Sequence, residues 1–427
     1  MNHLRSLIEK IIKTPEVRRK IFFTAAVFFV FRLLAHIPLP GVDVAHIRSI
    51  FAGNQLLNFL NIFSGGTLAN SSVMAVGINP YITSSIVIQL ATMVIPSLKE
   101  IQKDGESGRE KINQYTRMLA VPVGVVQSVS ILEFLRAQSL LTATDPLTMV
   151  LMITTLVAGS LILMWLGELV TQYGIGNGIS MILFAGIVGQ LPIAVGQLTA
   201  ATTSQDYLRL AVFGGVLLGV IMLMVYVNEA VRKIQIQYAK RVRGGRTFGG
   251  ESTHFPIRVN VTGVLPIIFA VSVMLTPSLL GRFLTSQSNV ALSRFGQNLV
   301  VWFAQTSWIY MLTYFIIVFA FTFLSALVFF NAEDLAEELK KSGALVPGIR
   351  PGGPTKKFLE YVLVRITFIG ALFLGFIAIL PSLAQLLTQL NSLAIGGTSM
   401  LIVVSVVLET AKQVDGMFVQ QNYDRFR

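Results

Sequence analysis

Residues 147–167 read LTMVLMITTLVAGSLILMWLG, a stretch without a single charged side chain. As a helix rising about 1.5 Å per residue, it spans about 30 Å, the thickness of the hydrocarbon layer of a bilayer. Apolar runs with at most two charged residues each recur at 21–37, 73–96, 118–135, 178–196, 209–231, 259–281, 306–330, 359–385 and 391–411. So many apolar runs of that length cannot all be buried inside a water-soluble globule. The expected fold class is therefore an all-α polytopic membrane protein with ten transmembrane helices. Composition agrees: of 427 residues, 53% are hydrophobic and 13% charged, against roughly 25% charged in a soluble domain.

The basic residues orient the runs. Of the 33 Lys and Arg, 27 lie in residues 1–20, 97–117, 232–258 and 331–365 and in the tail after the last run. With ten alternating spans, all five segments fall on one side. The retention of Lys and Arg on the cytoplasmic side then places both termini in the cytoplasm. The net charge of +12 is in the first place a record of topology rather than a sign of nucleic-acid binding, and no DNA partner is expected.

Several chemistries are excluded. There is no cysteine, and the four histidines (His3, His36, His46, His254) are scattered, so no thiolate, disulfide, metal site or cofactor is expected. The first run, 21–37, has no small-residue cleavage site and is not expected to be a signal peptide. The acids Glu133, Glu168, Glu229 and Glu409 lie near span ends, with no carboxylate at the centre of any span. That argues against an ion-coupled transporter and an intramembrane protease, and no catalytic residue is expected. Arg32, the deepest charge, lies towards the outer end of the first run, where its side chain can snorkel to the headgroups. What remains is a bundle with an aliphatic middle, which resists wetting if it encloses a pore.

Other features stand out between and at the starts of the spans. The basic stretch 232–258, with Gly244-Gly245 and Gly249-Gly250, is expected to project as a hairpin. The stretch 331–358 opens as a charged helix and turns through Pro347, Gly348, Pro351, Gly352, Gly353 and Pro354. Gly77-Ile-Asn-Pro80-Tyr-Ile82 and Gly263-Val-Leu-Pro266-Ile-Ile268 open the second and seventh spans. A repeat offset by five spans is inverted, though GxxPxI alone is a weak signal. Finally, residues 55–66 are too short to cross and carry Asn58, Asn61 and Ser64 on one helical stripe before Gly65-Gly66. By their residues alone they suit a helix on the membrane surface better than one folded back into a cavity.

Motifs spread along the chain resemble the SecY family, the channel subunits of the bacterial protein-export translocon. They are Pro80-Tyr-Ile-Thr-Ser-Ser-Ile-Val-Ile-Gln89, Asp104-Gly-Glu-Ser-Gly-Arg109, Gln114-Tyr-Thr-Arg117, Tyr173-Gly-Ile-Gly-Asn-Gly-Ile179, Val346-Pro-Gly-Ile-Arg-Pro-Gly352 and Gly396-Gly-Thr-Ser399. The resemblance implies an hourglass pore between two inverted, pseudo-symmetric halves of five spans, 1–196 and 197–427, opening sideways to lipid between the second and seventh spans. It implies a pore ring of Ile82, Ile86, Ile179, Leu183, Ile268 and Ile402, with Leu183 where isoleucine is more usual. It replaces the surface helix with a plug, residues 55–66 (Leu56, Leu57, Phe59, Leu60, Asn61, Ile62, Phe63, Ser64, Gly65, Gly66). Gln127, Ser272 and Thr276 would flank the side gate, either bonding across it or packing within the bundle.

The function implied is a non-enzymatic protein-conducting channel in the bacterial inner membrane. It would pass unfolded secretory chains and release apolar segments into membrane lipid. Drive would come from a docked SecA ATPase or ribosome, since the chain has no Walker loop of its own. Arg350 is implied as a docking arginine. For Arg241, Arg243 and Arg246, docking and plain topology both account for the charge. SecE, SecG and a preprotein or its signal peptide complete the implied partners. The alternative from another class is a small-solute secondary transporter, which can share an inverted repeat.

Overall fold

The structure, a computed structural model, describes residues 14–42, 61, 64–137, 141, 145–201, 207–238, 241–243, 246–248, 252–260, 263, 265–285, 289–304, 307–330, 332–388 and 397–424. Thirteen helices are described: α1 Pro15–Leu34, α2 Asn79–Val94, α3 Pro96–Lys103, α4 Glu106–Ala137, α5 Pro146–Tyr173, α6 Gly178–Ala201, α7 Tyr207–Glu229, α8 Leu265–Thr285, α9 Val290–Trp302, α10 Trp308–Phe329, α11 Ala332–Lys341, α12 Gly353–Thr388 and α13 Gly397–Asp424. Each of the ten apolar runs falls on one of them. Among the described residues, four helical stretches are long and apolar enough to cross a membrane: Glu106–Glu133, Pro146–Tyr173, Trp308–Lys341 and Gly353–Leu380. The pair α2 and α3, bent by 105°, makes a fifth if the two count as one span.

The second run departs from expectation at both ends. Residues 73–78 are turns rather than helix, and the helix stops at Ile95, whose φ of −95° and ψ of 112° are extended. Pro96 explains the break, since proline disfavours helical geometry in the residue before it. Helices α3 and α9 also lie outside the apolar runs. The short helix α9 folds back on α8 where Gly281 and Gly296 meet; a Cβ on Gly296 would lie 2.6 Å from the Gly281 carbonyl.

The packing divides into two groups with two seams. Helix α1 packs on α5 and α6, α2 on α4, α4 on α5 and α5 on α6. Likewise α8 packs on α10, α10 on α12, and α7 on both α12 and α13. The groups meet where α2 touches α8 and where α6 touches α13. One aliphatic cluster runs through both and includes Ile82, Ile182, Ile268 and Ile402.

The expectation of an all-α chain needs correction. Strands β1 (Val231–Tyr238) and β4 (Ser252–Arg258) form an antiparallel hairpin, and β2 (Arg241–Arg243) with β3 (Arg246–Phe248) makes a smaller ribbon. A fifth strand, β5 (Ala344–Leu345), comes from the other long basic segment and pairs with Gln237 and Tyr238 of β1. The two loops are thus one sheeted unit. The reason is apolar: Ile234 and Ile257 of the hairpin bury against Ala332, Ala336, Val346 and Leu359.

Tight glycine contacts set the α5–α6 turn. Gly176 has φ +82°, and a Cβ on Gly178 would lie 1.7 Å from the Gly167 carbonyl. Gly178→Ala is expected to lower stability by about 1–3 kcal/mol, read as a lower unfolding temperature in detergent. Gly214→Ala in α7, where a Cβ meets nothing within 4 Å, should leave that temperature unchanged or higher.

Candidate functional site

The two copies of GxxPxI are built alike. Gly77 and Gly263 both have positive φ, +68° and +65°, a geometry that glycine adopts without the strain a Cβ brings. Pro80 and Pro266 then sit in the first turns of α2 and α8, where a missing N–H costs nothing. Ile82 and Ile268, five residues after each glycine, are both buried, 2% and 1% exposed. A pair of helices that touch each other thus start identically and bury the same position.

The other expected waist residues arrive on α6 and α13. The α6 terminus is fixed by Asn177, whose side-chain oxygen accepts from the backbone N–H groups of Ile179 and Ser180 at 3.1 and 3.3 Å. From that cap, Leu183 is buried and Ile179 half-buried against the same cluster. Ile86 and Ile402 are buried in it as well. Sequence reading did not single out Ile182, which is 2% exposed and shares with Leu183 a small cavity lined also by Phe31, Ser64, Gly65 and Gly186.

Of the expected plug, Leu56, Leu57, Phe59, Leu60, Ile62 and Phe63 lie outside the described residues. Its end is described, and it is densely bonded. The Asn61 backbone carbonyl accepts from Gly66 N–H at 2.7 Å, and its side-chain oxygen from Ala69 N–H at 2.8 Å. The Ser64 hydroxyl donates to the Asn61 carbonyl at 3.0 Å. Gly65 (φ +77°) and Gly66 (φ +85°) turn the chain against α6, where a Cβ on Gly65 would lie 2.7 Å from the Gly186 Cα.

Arg32 does not snorkel. Its guanidinium turns inward and donates to the Gly65 carbonyl at 3.3 Å and to the Ala185 carbonyl at 3.2 Å. Gln190 donates to the same Gly65 oxygen at 3.3 Å. The physical reason is that a carbonyl turned out of a helix beside an apolar cluster needs a donor. The inward route is open because Gly189 leaves the guanidinium its space.

Among the described residues no hydrogen bond joins the expected gate residues to one another. Gln127 donates to Thr83 of α2 at a long 3.5 Å. Ser272 donates to the Ile268 carbonyl at 3.0 Å, and Thr276 to the Ser272 carbonyl at 3.4 Å. The two hydroxyls thus bond within α8 itself, as Ser and Thr in helices often do. Acids near the span ends are paired instead: Glu168 with Arg117 at 2.7 Å and Glu229 with Lys412 at 2.9 Å.

Arg350 is exposed on a turn held at both ends. Gly348 and Gly352 take positive φ, Val346 is buried beneath, and Thr355 donates to the Arg350 carbonyl at 2.8 Å. Among the described residues no carboxylate pairs with it. Nearby, Glu333 bonds Lys356 at 2.8 Å and holds that ammonium's pKa above its ordinary value. In the ribbon, Arg243 is in register with Arg246, and Arg241 with Phe248.

A helical bundle closed over an aliphatic cluster, with a turned segment resting on it, defines a class of membrane channel. The family model of SecY matches residues 72–411. The protein translocase subunit SecY of Streptomyces coelicolor is 40% identical over 432 residues, covering 97% of this chain and 98% of that one. That of Mycobacterium tuberculosis is 37% identical over 434 residues, with the same coverage. The chain belongs to the SecY family. Solved structures share the fold. A protein-conducting channel superposes with a TM-score of 0.65 at 18% identity, covering 97% of both chains. A SecY whose plug domain stabilises the closed state and maintains a membrane seal gives 0.64 at the same identity and coverage. Sec61 in the canine ribosome-channel complex from the endoplasmic reticulum gives 0.59, again at 18% identity and 97% coverage of both chains.

Asn177→Ala removes the side-chain cap that Asn177 gives α6 and should cost about 1 kcal/mol. Thermal unfolding of the purified protein checks this, and Asn177→Ser should recover most of the loss.

Proposed function

We propose that the chain is a protein-conducting channel that passes unfolded secretory proteins across the membrane and releases apolar segments sideways into lipid. The observation that carries this is the contact of the Gly65-Gly66 turn with α6 beside Leu183. It sets a separate, non-helical segment on an aliphatic cluster fed by α2, α6, α8 and α13. In this reading Ile82, Ile86, Ile179, Leu183, Ile268 and Ile402 form a gasket, and residues 55–66 a plug above it. The channel catalyses no reaction, and its apolar waist resists ions because wetting a narrow apolar constriction is unfavourable.

The reading extends to topology. Ten spans form two inverted halves, 1–196 and 197–427, and the matching starts of α2 and α8 support that division. The α2–α8 seam is the side gate, with Gln127, Ser272 and Thr276 packed along it. Both termini face the cytoplasm of a bacterial inner membrane. SecE and SecG complete the complex. SecA or the ribosome docks on the sheeted unit through Arg350, whose fork suits carboxylate or phosphate oxygens. Arg241, Arg243 and Arg246 suit the same partners.

Reconstituted vesicles test the function: import of a preprotein should require the chain, SecA and ATP. Uptake of a small solute without any preprotein import would return the reading to a secondary transporter. Ile82→Asn with Ile86→Asn should raise ion conductance of the idle channel. A wetting barrier lower by about 1.4 kcal/mol corresponds to about tenfold, and unchanged conductance would sink the gasket. Arg350→Glu should weaken SecA binding by roughly thirtyfold, for a charge-assisted contact of about 2 kcal/mol. A fall in protein level parallel to the fall in export would point to folding instead.

A further inference from the structure

We propose that Arg32 and Gln190 are positioning residues: a polar latch that holds the plug's end in its closed seat. This rests on the plug assignment above and adds to it the groups that keep the plug in place.

Two hydrogen bonds meet at one atom. The Gly65 carbonyl accepts from both Arg32 and Gln190, each at 3.3 Å. The same guanidinium reaches the Ala185 carbonyl at 3.2 Å, so one planar fork ties the plug's end to α6. The surrounding glycines are cut to this contact. A Cβ at Gly189 would lie 0.9 Å from Arg32 Nη2, and one at Gly66 would lie 1.7 Å from Gln190 Nε2. Neither side chain has its present position if those glycines carry a methyl group.

The chemistry suits a contact that must open. Both acceptors of Arg32 are backbone carbonyls, and among the described residues no carboxylate neutralises it. A charge bound to carbonyl dipoles is held less firmly than one in a buried ion pair, whose rupture leaves a second charge stranded. Water entering a widened outer funnel can replace the Gly65 oxygen at little cost. The placement matters as well. Arg32 is on α1 and Gln190 on α6, which pack together. Parting the α2–α8 seam therefore leaves both donors where they are. The latch releases when the turn itself is pushed away.

The chain has no cysteine, so Ser64→Cys introduces a single thiol at a buried plug position. With the complex reconstituted in vesicles, a membrane-impermeant maleimide applied at the outer face reads how often that seat opens. Arg32→Gln should raise the labelling rate of the idle channel by about tenfold, and Gln190→Ala by a smaller factor. Arg32→Lys, which keeps the charge but loses the fork, should fall between. Gly189→Ala should match Arg32→Gln although it keeps the charge and favours the helix; it also decides the matter if Arg32→Gln does not assemble. Unchanged labelling in Gly189→Ala overturns the latch. A stalled preprotein separates the two readings. If it fails to raise labelling in the otherwise native Ser64→Cys channel, the plug assignment is wrong. If it raises labelling while the latch variants match native, only the latch is wrong.

Discussion

A carbonyl or N–H group that leaves a helix inside an apolar bundle has no water to turn to, and leaving it unpaired costs several kcal/mol. Residues 64–78 are such a stretch, turned rather than helical. Their backbone is satisfied locally by Asn61, Ser64 and Thr67 and from outside by Ile37 and Leu39 and, at Gly65, by Arg32 and Gln190. The rest of the centre follows from where that stretch can sit. It needs Gly186 and Gly189 on α6 to approach and to admit the guanidinium. It needs Gly159 on α5, where a Cβ would come within 2.0 Å of the Val73 carbonyl.

The same logic governs the aliphatic cluster from the other side. Within it, the starts of α2, α6 and α8 are fixed by backbone devices instead of ion pairs. Left-handed glycines and first-turn prolines start α2 and α8, and an asparagine cap starts α6. Ion pairs join neighbouring helices: Arg117 of α4 with Glu168 of α5, and Lys412 of α13 with Glu229 and the Asn228 carbonyl of α7.

Much of this was legible in residue order. Each apolar run overlaps a described helix, because membrane length and scarcity of charge are local properties of a sequence. The hairpin in 232–258 was signalled by its paired glycines. The five-span GxxPxI echo marked two helices whose first turns match. Other features left no local trace. Pairing of β5 with β1 joins residues more than a hundred positions apart, and two residues are too short a strand to show a period. Helix α9 is too short for a span, and it is laid down against α8.

By itself the sequence determined the solvent: 53% hydrophobic residues in bilayer-length runs leave a membrane as the only medium that covers them, and its motifs determined the family. It also placed Ile82 and Ile268 at matching steps from matching glycines. Only the tertiary structure decided what the lone charge Arg32 does. An arginine near a span end has two ways to meet its need for acceptors, outward to headgroups or inward to carbonyls, and local sequence is the same for both. The choice depends on whether a carbonyl and an empty space lie within reach. Gly65, more than thirty residues away, supplies the one, and Gly189, on another helix, supplies the other.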